Sequence, residues 1–276
     1  MPIPVEVTMH SLPRKEKNIF WGRCKCGGKR RSGKGSGCNS IVLDIPIETP
    51  DLAIYSQEEE LLNGNTPNWN SPDITTNDWK PFRLRSEVTF RIRNLSPTVP
   101  AIGVSLHYYT SPFGIGTRKE LKLTKIVNIS PAREIELKFP LDQLTFSGDP
   151  RVGVHLQIEH PFDQNLINNF GSQVHDQGYT SESGRDFNIQ IPVLNDSNLS
   201  REIRLSIMPT DLIAVVTPAA HLCAPHEQII STLRIQIPSH LSGTPEANII
   251  REVTVVGRLP TSELIGGATR IVCIDN

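Results

Sequence analysis

The sequence predicts an all-β chain built as two tandem sandwiches behind a basic, cysteine-bearing N-terminal arm. Three observations carry that prediction. Short runs in which apolar and polar residues alternate recur from Glu87 almost to the last residue, with the period of half-buried strands. Turn formers separate the runs, and 22 prolines and 19 glycines against 37% hydrophobic residues suit many short strands better than long helices. A chain of 276 residues can also bury two cores of ordinary size.

Residues 1–48 form the arm. Between His10 and Cys38 stand nine basic residues, opposed only by Glu16, a net +8 that leaves −9 on the remainder of a chain whose total is −1. The stretch from Gly27 to Gly37 has no apolar residue and cannot build a core, so it is expected to be a flexible loop. His10, Cys24, Cys26 and Cys38 supply four candidate zinc ligands that would clip the two ends of this loop together. An unligated basic arm with no cofactor is the favoured reading, with zinc and inter-subunit disulfides as the alternatives. Nucleic acid binding is disfavoured, because the only rings near the basic loop, Phe20 and Trp21, precede it. The run from Ile41 to Ile47 reads as an extra strand, confined by Pro46 to an edge or an end.

Residues 49–71 read as an exposed connecting segment. It carries the acidic triplet Glu58, Glu59 and Glu60, and it is bracketed by two copies of one step, Thr49-Pro50-Asp51-Leu52 and Ser71-Pro72-Asp73-Ile74. The first sandwich is expected over 72–176. Val88, Phe90 and Ile92 fall on one parity with Thr89, Arg91 and Arg93 on the other, and the next run places Ile102, Val104, Leu106 and Tyr108 inward. Ile135, Leu137 and Phe139 follow, then Val152, Val154, Leu156 and Ile158, which leaves His155 on the wet parity. Six or seven strands in about 90 residues is the spacing of an immunoglobulin-like or fibronectin-like sandwich. Residues 177–185 read as a linker, and a second immunoglobulin-like sandwich is expected over 186–276, with Phe187, Ile189, Ile191 and Val193 alternating at its start. Cys223 is assigned to a loop and Cys273 to the last strand, both as small packed side chains.

Trp69-Asn70-Ser71-Pro72-Asp73-Ile74, then Val88-Thr89-Phe90-Arg91-Ile92-Arg93-Asn94, then His160-Pro161-Phe162-Asp163-Gln164-Asn165 with Asn168-Asn169, resemble the bacterial CARDB-type branch of immunoglobulin-like domains. The resemblance covers roughly residues 69 to 175. It implies a sandwich opened by a V-x-V-x-N strand and closed by a loop with Asp and paired Asn. It also implies a module of the mostly non-catalytic adhesion, spacer or docking kind.

No nucleophile, base and orienter assemble from any short motif, so no catalytic residue is assigned. The polar loop with Asp163, Asn165 and Asn168 could offer calcium its oxygen ligands, although Asp and Asn equally serve their own backbone in turns. Trp69, Trp79, Tyr108 and Tyr109 are the candidates for an aromatic binding platform. The expected function is a non-enzymatic structural or docking subunit that binds protein partners or copies of itself through strand edges and the arm, with a carbohydrate- or ligand-binding module as the alternative. Five cysteines, an odd number unevenly spread, are no disulfide framework and point to a reducing compartment. Without a charged leader ahead of an apolar run, the default location is cytoplasmic, with delivery to an extracellular assembly by another route left open. No apolar run of 18 residues is present, so no membrane-spanning helix is expected.

Overall fold

A computed structural model of the chain describes residues 48–79, 82–140, 151–180, 186–238 and 249–274. The arm, with His10, Cys24, Cys26, Cys38 and the strand expected at 41–47, lies outside the described residues. All of the described residues belong to one compact unit, which begins at Pro46. Among them no helix is long and apolar enough to cross a membrane.

The unit is two immunoglobulin-like β-sandwiches. The first contains β1 (Leu52–Ala53), α1 (Gln57–Leu62), β2 (Ile74–Trp79), β3 (Phe82–Asn94), β4 (Ala101–Pro112), β5 (Glu120–Ile129), β6 (Arg133–Pro140), β7 (Val152–Glu159) and β8 (Phe170–Gln173). One sheet is centred on β3, with β1 and β2 in succession along one side and β6 on the other. The facing sheet runs β5-β4-β7-β8. Their inner faces share one core, in which Val88, Phe90 and Ile92 of β3 meet Val104, Leu106 and Tyr108 of β4 and Val154, Leu156 and Ile158 of β7. Phe90, Tyr108 and Phe139 form its aromatic centre, with ring centroids 5.4–5.7 Å apart in edge or tilted contacts.

The repeated Pro-Asp step turns out to be structural. Each copy ends by delivering a strand to the same side of β3, Leu52 opposite Asn94 and Ile74 opposite Phe90. Asp73, only 2% exposed, takes a two-pronged ion pair from Arg93 at 2.5 and 2.7 Å and also accepts the amide of Tyr55 at 2.7 Å. That pairing raises the Arg93 pKa above the usual arginine value, and it leaves a buried carboxylate fully compensated.

Two expectations about parity fail for local reasons. Ile102, predicted inward, is 61% exposed. Gly103 sits at φ +73° and the β4–β5 register shifts between Ala101 and Val104, so a bulge turns Ile102 outward before the alternation resumes. His155, predicted on the wet face, is 4% exposed, because the outer face of β7 is covered at that end of the sheet.

The second sandwich contains β9 (His175–Thr180), β10 (Asp186–Leu194), β11 (Arg201–Ile207), β12 (Ile213–Thr217), β13 (Ala220–Cys223), β14 (Gln228–Gln236), β15 (Ile249–Arg258) and β16 (Leu264–Ile274). Its sheets run β10-β14-β12 and β13-β11-β15-β16-β9. β9 pairs parallel to β16 from His175 opposite Thr269 to Thr180 opposite Ile274. The segment read as a linker from Gln177 therefore starts as a sheet strand, since its backbone groups are taken up by the last strand of the fold. Cys223, assigned to a loop, closes β13 and is fully buried.

The two sandwiches interlock. Trp69, Phe113, Ile115 and Val174, which border or interrupt the strands of the first sandwich, are buried in the core of the second with Val193, Leu233, Val255 and Ala268. The segment 49–71 is thus not an exposed connection: it holds β1, α1 and a core tryptophan. Trp69 is 3% exposed, and a Cβ added at Gly267 would lie 2.5 Å from its ring. Its amide donates to Thr269 Oγ1 at 3.0 Å and its carbonyl accepts from Val174 at 2.8 Å. Asn68 and Asn70 donate their side-chain amides to the two carboxylate oxygens of Glu252 on β15, the Asn70 bond being 2.8 Å. On the far side Ile115 bridges β10 in parallel, donating to Pro192 O at 2.8 Å and accepting from Leu194 at 2.9 Å.

Trp69→Ala should lower the unfolding free energy by about 3–5 kcal/mol, because the cavity opens where the two sandwiches meet and Gly267 cannot fill it. Urea unfolding at unchanged m-value measures this, and a loss below about 1 kcal/mol would show that Trp69 is no anchor.

Candidate functional site

Interlocking leaves a cleft of about 1360 Å³ between the sandwiches. Helix α1 contributes Gln57 and Leu61 to it, the β4–β5 connection Thr117, Arg118 and Lys119, and the β10–β11 turn Asn195 to Leu199. The β15–β16 hairpin contributes Arg258 and Glu263 to Gly267. His155, Phe170 and Ser172, on the outer face of the β7–β8 pair, also line the cleft.

His155 is held between two serines, with Ser111 Oγ 2.9 Å from Nε2 and Ser172 Oγ 2.9 Å from Nδ1. Ser111 also donates to the carbonyl of Pro112 at 3.1 Å. One proton assignment satisfies the whole chain: Ser172 donates to Nδ1, Nε2–H donates to Ser111, and Ser111 donates to Pro112. This assignment needs a neutral ring. Phe170 stacks on the imidazole with centroids 6.0 Å apart and planes 11° apart, and Lys119 Nζ lies 4.4 Å from the centre of the Phe170 ring. Burial, reinforced by the positive charge of Lys119, pushes the His155 pKa down to about 3. Desolvation also lowers the Lys119 pKa, although the residue as a whole remains exposed. No carboxylate bonds to the imidazole among the described residues, so the geometry is that of a neutral hydrogen-bond relay. β4, β7 and β8 supply one member each, so no short motif could have shown it. The only sequence signal was a histidine on a strand's polar parity.

The residues singled out from sequence are dispersed. Trp69 and Tyr108 are core residues, 3% and 1% exposed, and present no platform. Tyr109 is half-buried on the outer face, opposite His155, while Trp79 closes β2 opposite Phe82. Asp163 Oδ1 accepts the amides of Leu52 at 3.2 Å and Asn165 at 3.3 Å, and its Oδ2 accepts the side-chain amide of Asn169 at 3.0 Å. Asn165 donates to Glu59 at 3.1 Å, and the carbonyl of buried Asn168 accepts from Ile54 at 3.0 Å. The loop thus spends its polar groups tying β1 and α1 to the sandwich. The acidic triplet forms the first turn of α1, where Ser56 caps the helix and the acids face its positive end.

Among the described residues, the outermost strands β5, β12 and β13 expose apolar side chains. β5 is outermost in its sheet and exposes Leu121, Leu123 and Ile126, the last at 70%. β12 exposes Ile213 and Val215, and β13 exposes Leu222. One group of three metal-ligating side chains converges among the described residues: His221, Cys223 and Glu227.

No protein-family model matches the chain, and no curated protein matches its sequence. Among solved structures it is loosely similar to Escherichia coli alpha-2-macroglobulin activated by porcine elastase, at 10% identity and a TM-score of 0.27 over 82% of this chain and 22% of that one. It is also loosely similar to a protein of unknown function from Porphyromonas gingivalis W83, at 10% identity and a TM-score of 0.24 over 67% of this chain and 90% of that one. The chain thus spans about a fifth of the length of the macroglobulin.

The buried imidazole makes stability depend on pH. The unfolded chain binds a proton at His155 as pH falls through 6.5, whereas the folded protein refuses it until about 3. Stability should therefore fall as pH drops below 6.5, this group contributing up to ~1.4 kcal/mol per pH unit. His155→Gln should flatten the slope of unfolding free energy between about pH 6.5 and 5 by that amount. An unchanged slope would place the imidazole in contact with water.

Proposed function

We propose that this chain is a non-enzymatic structural or docking subunit that associates by adding strands to its open sheet edges. The observation that carries the reading is β5, a ten-residue strand at the end of its sheet with Leu121, Leu123 and Ile126 turned to solvent. A long edge offers a row of backbone donors and acceptors, and natural sheets blunt such edges with charge, bulges or cover unless the edge is used. Lys122 and Lys125 on this strand stay engaged: Lys122 pairs with Glu120 at 2.9 Å and Lys125 lies 5.9 Å from the centre of the Phe139 ring. Leu121, Leu123 and Ile126 share the exposed surface of the strand with Thr124, Lys125 and Asn128.

Two sequence features support the same reading. The +8 of residues 10–38 and the −9 of the rest are complementary, and opposite charges on one chain favour association between copies. The likeness of residues 69 to 175 to CARDB-type modules adds the expectation of a spacer or docking role. A carbohydrate platform is set aside because two of its four aromatics are buried. A ligand-binding reading rests instead on the cleft beside Lys119 and Phe170, a concave volume of about 1360 Å³ with a mixed polar and apolar lining, larger than the about 300–1,000 Å³ of most ligand pockets.

Light scattering coupled to size exclusion tests the docking reading on three proteins: the full chain, a chain lacking residues 1–40, and the full chain carrying Leu121→Lys and Ile126→Lys. The full chain should assemble with concentration, and each alteration should lower its mass toward the monomer. The exposed double substitution should leave stability within about 0.5 kcal/mol per site. A full chain that stays monomeric at high concentration overturns assembly through its edges.

A further inference from the structure

The end of β13 and the turn after it gather a set of donors at the rim of the second core, to which Cys223 itself belongs. His221, Cys223 and Glu227 each offer one ligand atom, and these atoms all lie within 4.8 Å of one another. The strand period places His221 and Cys223 on one face, paired across the ladder with Ile203 and Arg201. The chain then reverses through Ala224, Pro225 and His226, which stands at φ +58°, and this reversal returns Glu227 beside the strand end. Glu227 Oε2 accepts the amide of Ala224 at 2.6 Å, fixing the carboxylate within the turn.

Asn195, only 3% exposed, holds the reversal from below. Its side-chain amide donates to the carbonyls of Cys223 at 3.2 Å and Ala224 at 2.8 Å, and its backbone amide donates to Glu227 O at 3.0 Å. The backbones of two ligating residues, Cys223 and Glu227, are thereby set by one residue of the β10–β11 turn, through its side chain and its backbone amide respectively. His226 does not compete for the site, since its Nε2 lies 2.9 Å from Asn198 Oδ1 and its Nδ1 3.8 Å from Asp196.

We propose that His221, Cys223 and Glu227 form a three-ligand site for a borderline-soft divalent cation of the zinc class, with a fourth position left for water or for a group from a partner. Imidazole nitrogen, thiolate sulfur and carboxylate oxygen are the three donor types that zinc accepts. Tetrahedral coordination at bond lengths of about 2.0–2.3 Å sets donor atoms about 3.3–3.8 Å apart, so side-chain rotation of about an ångström closes the set. The cysteine binds as thiolate and releases its proton to solvent, with no change of oxidation state. This set uses none of the four N-terminal zinc candidates.

Cobalt(II) is the probe, because a bound thiolate gives it a charge-transfer absorption that zinc then displaces. The full chain with Cys24, Cys26 and Cys38 all replaced by Ser should take up one equivalent of cobalt with that absorption. Zinc should raise its melting temperature. His221→Gln and Glu227→Gln in the same background, at partly exposed positions where the fold is retained, should each weaken cobalt binding at least ~10-fold and remove the zinc-induced shift. Cys223→Ser should abolish the thiolate absorption. Absence of the absorption overturns the proposal, and so does an absorption that survives His221→Gln and Glu227→Gln unchanged, which would assign the sulfur to Cys273.

Discussion

The burial of Trp69 against Gly267 is the contact on which the rest of the arrangement depends. A tryptophan that precedes the first long strand pair of one sandwich completes the core of the other, so the second core is not full without the chain that builds the first. The contact also sets the path of the backbone, because Trp69 and Val174 join Thr269 in a short hydrogen-bonded ladder beside β16. Asn68 and Asn70 flank the ring and bind Glu252, which sheathes an apolar anchor in compensated polar contacts. With Ile115 seated beside β10 on the other side, the two sandwiches are joined at two separated points, and the cleft is the space those points enclose.

Within the first sandwich β3 plays the corresponding role. It receives β1, β2 and β6, and Arg93 near its end neutralises the buried Asp73 that starts β2. Charge and strand pairing are coupled there, since Asp73 also takes the amide of Tyr55 and so orients the chain entering α1. The same economy of polar groups explains the Asp163 loop, whose oxygens and amides are directed at the strand and helix ends around them. A polar-rich loop in a β-protein is often a splint for neighbouring backbone, and its composition resembles that of a cation site because both require oxygen donors.

Function is assigned to what the fold leaves uncovered. His155 is interior through groups of its own sandwich, held between Ser111 and Ser172 and stacked under Phe170. The edges of β5, β12 and β13 were not covered, and their exposed leucine, isoleucine and valine side chains are the surfaces available to another strand. A docking role and a closed internal relay are compatible: one uses the rim of the sheets, the other stiffens the surface between them.

The strand inventory was legible from sequence because period-2 alternation is local: Val88, Phe90 and Ile92 point inward through the pleat whatever lies beyond them. Two sandwiches, their order and the polar character of their loops followed from that alternation and from the turn residues between runs. Where a residue lies relative to a second sheet is not local, and there the reading failed. Trp69 looked like part of an exposed segment because its core lies some 200 positions away, at Thr269. Ile102 was misplaced by one glycine bulge, and His155 by a cover its own strand could not announce. The convergence of His221, Cys223 and Glu227 needed a reversal through a positive-φ residue and an asparagine from another turn. Sequence alone determined which segments become strands and which face of each is apolar. Tertiary structure decided which wet faces become interior and which donors meet, because both depend on contacts between segments far apart in the chain.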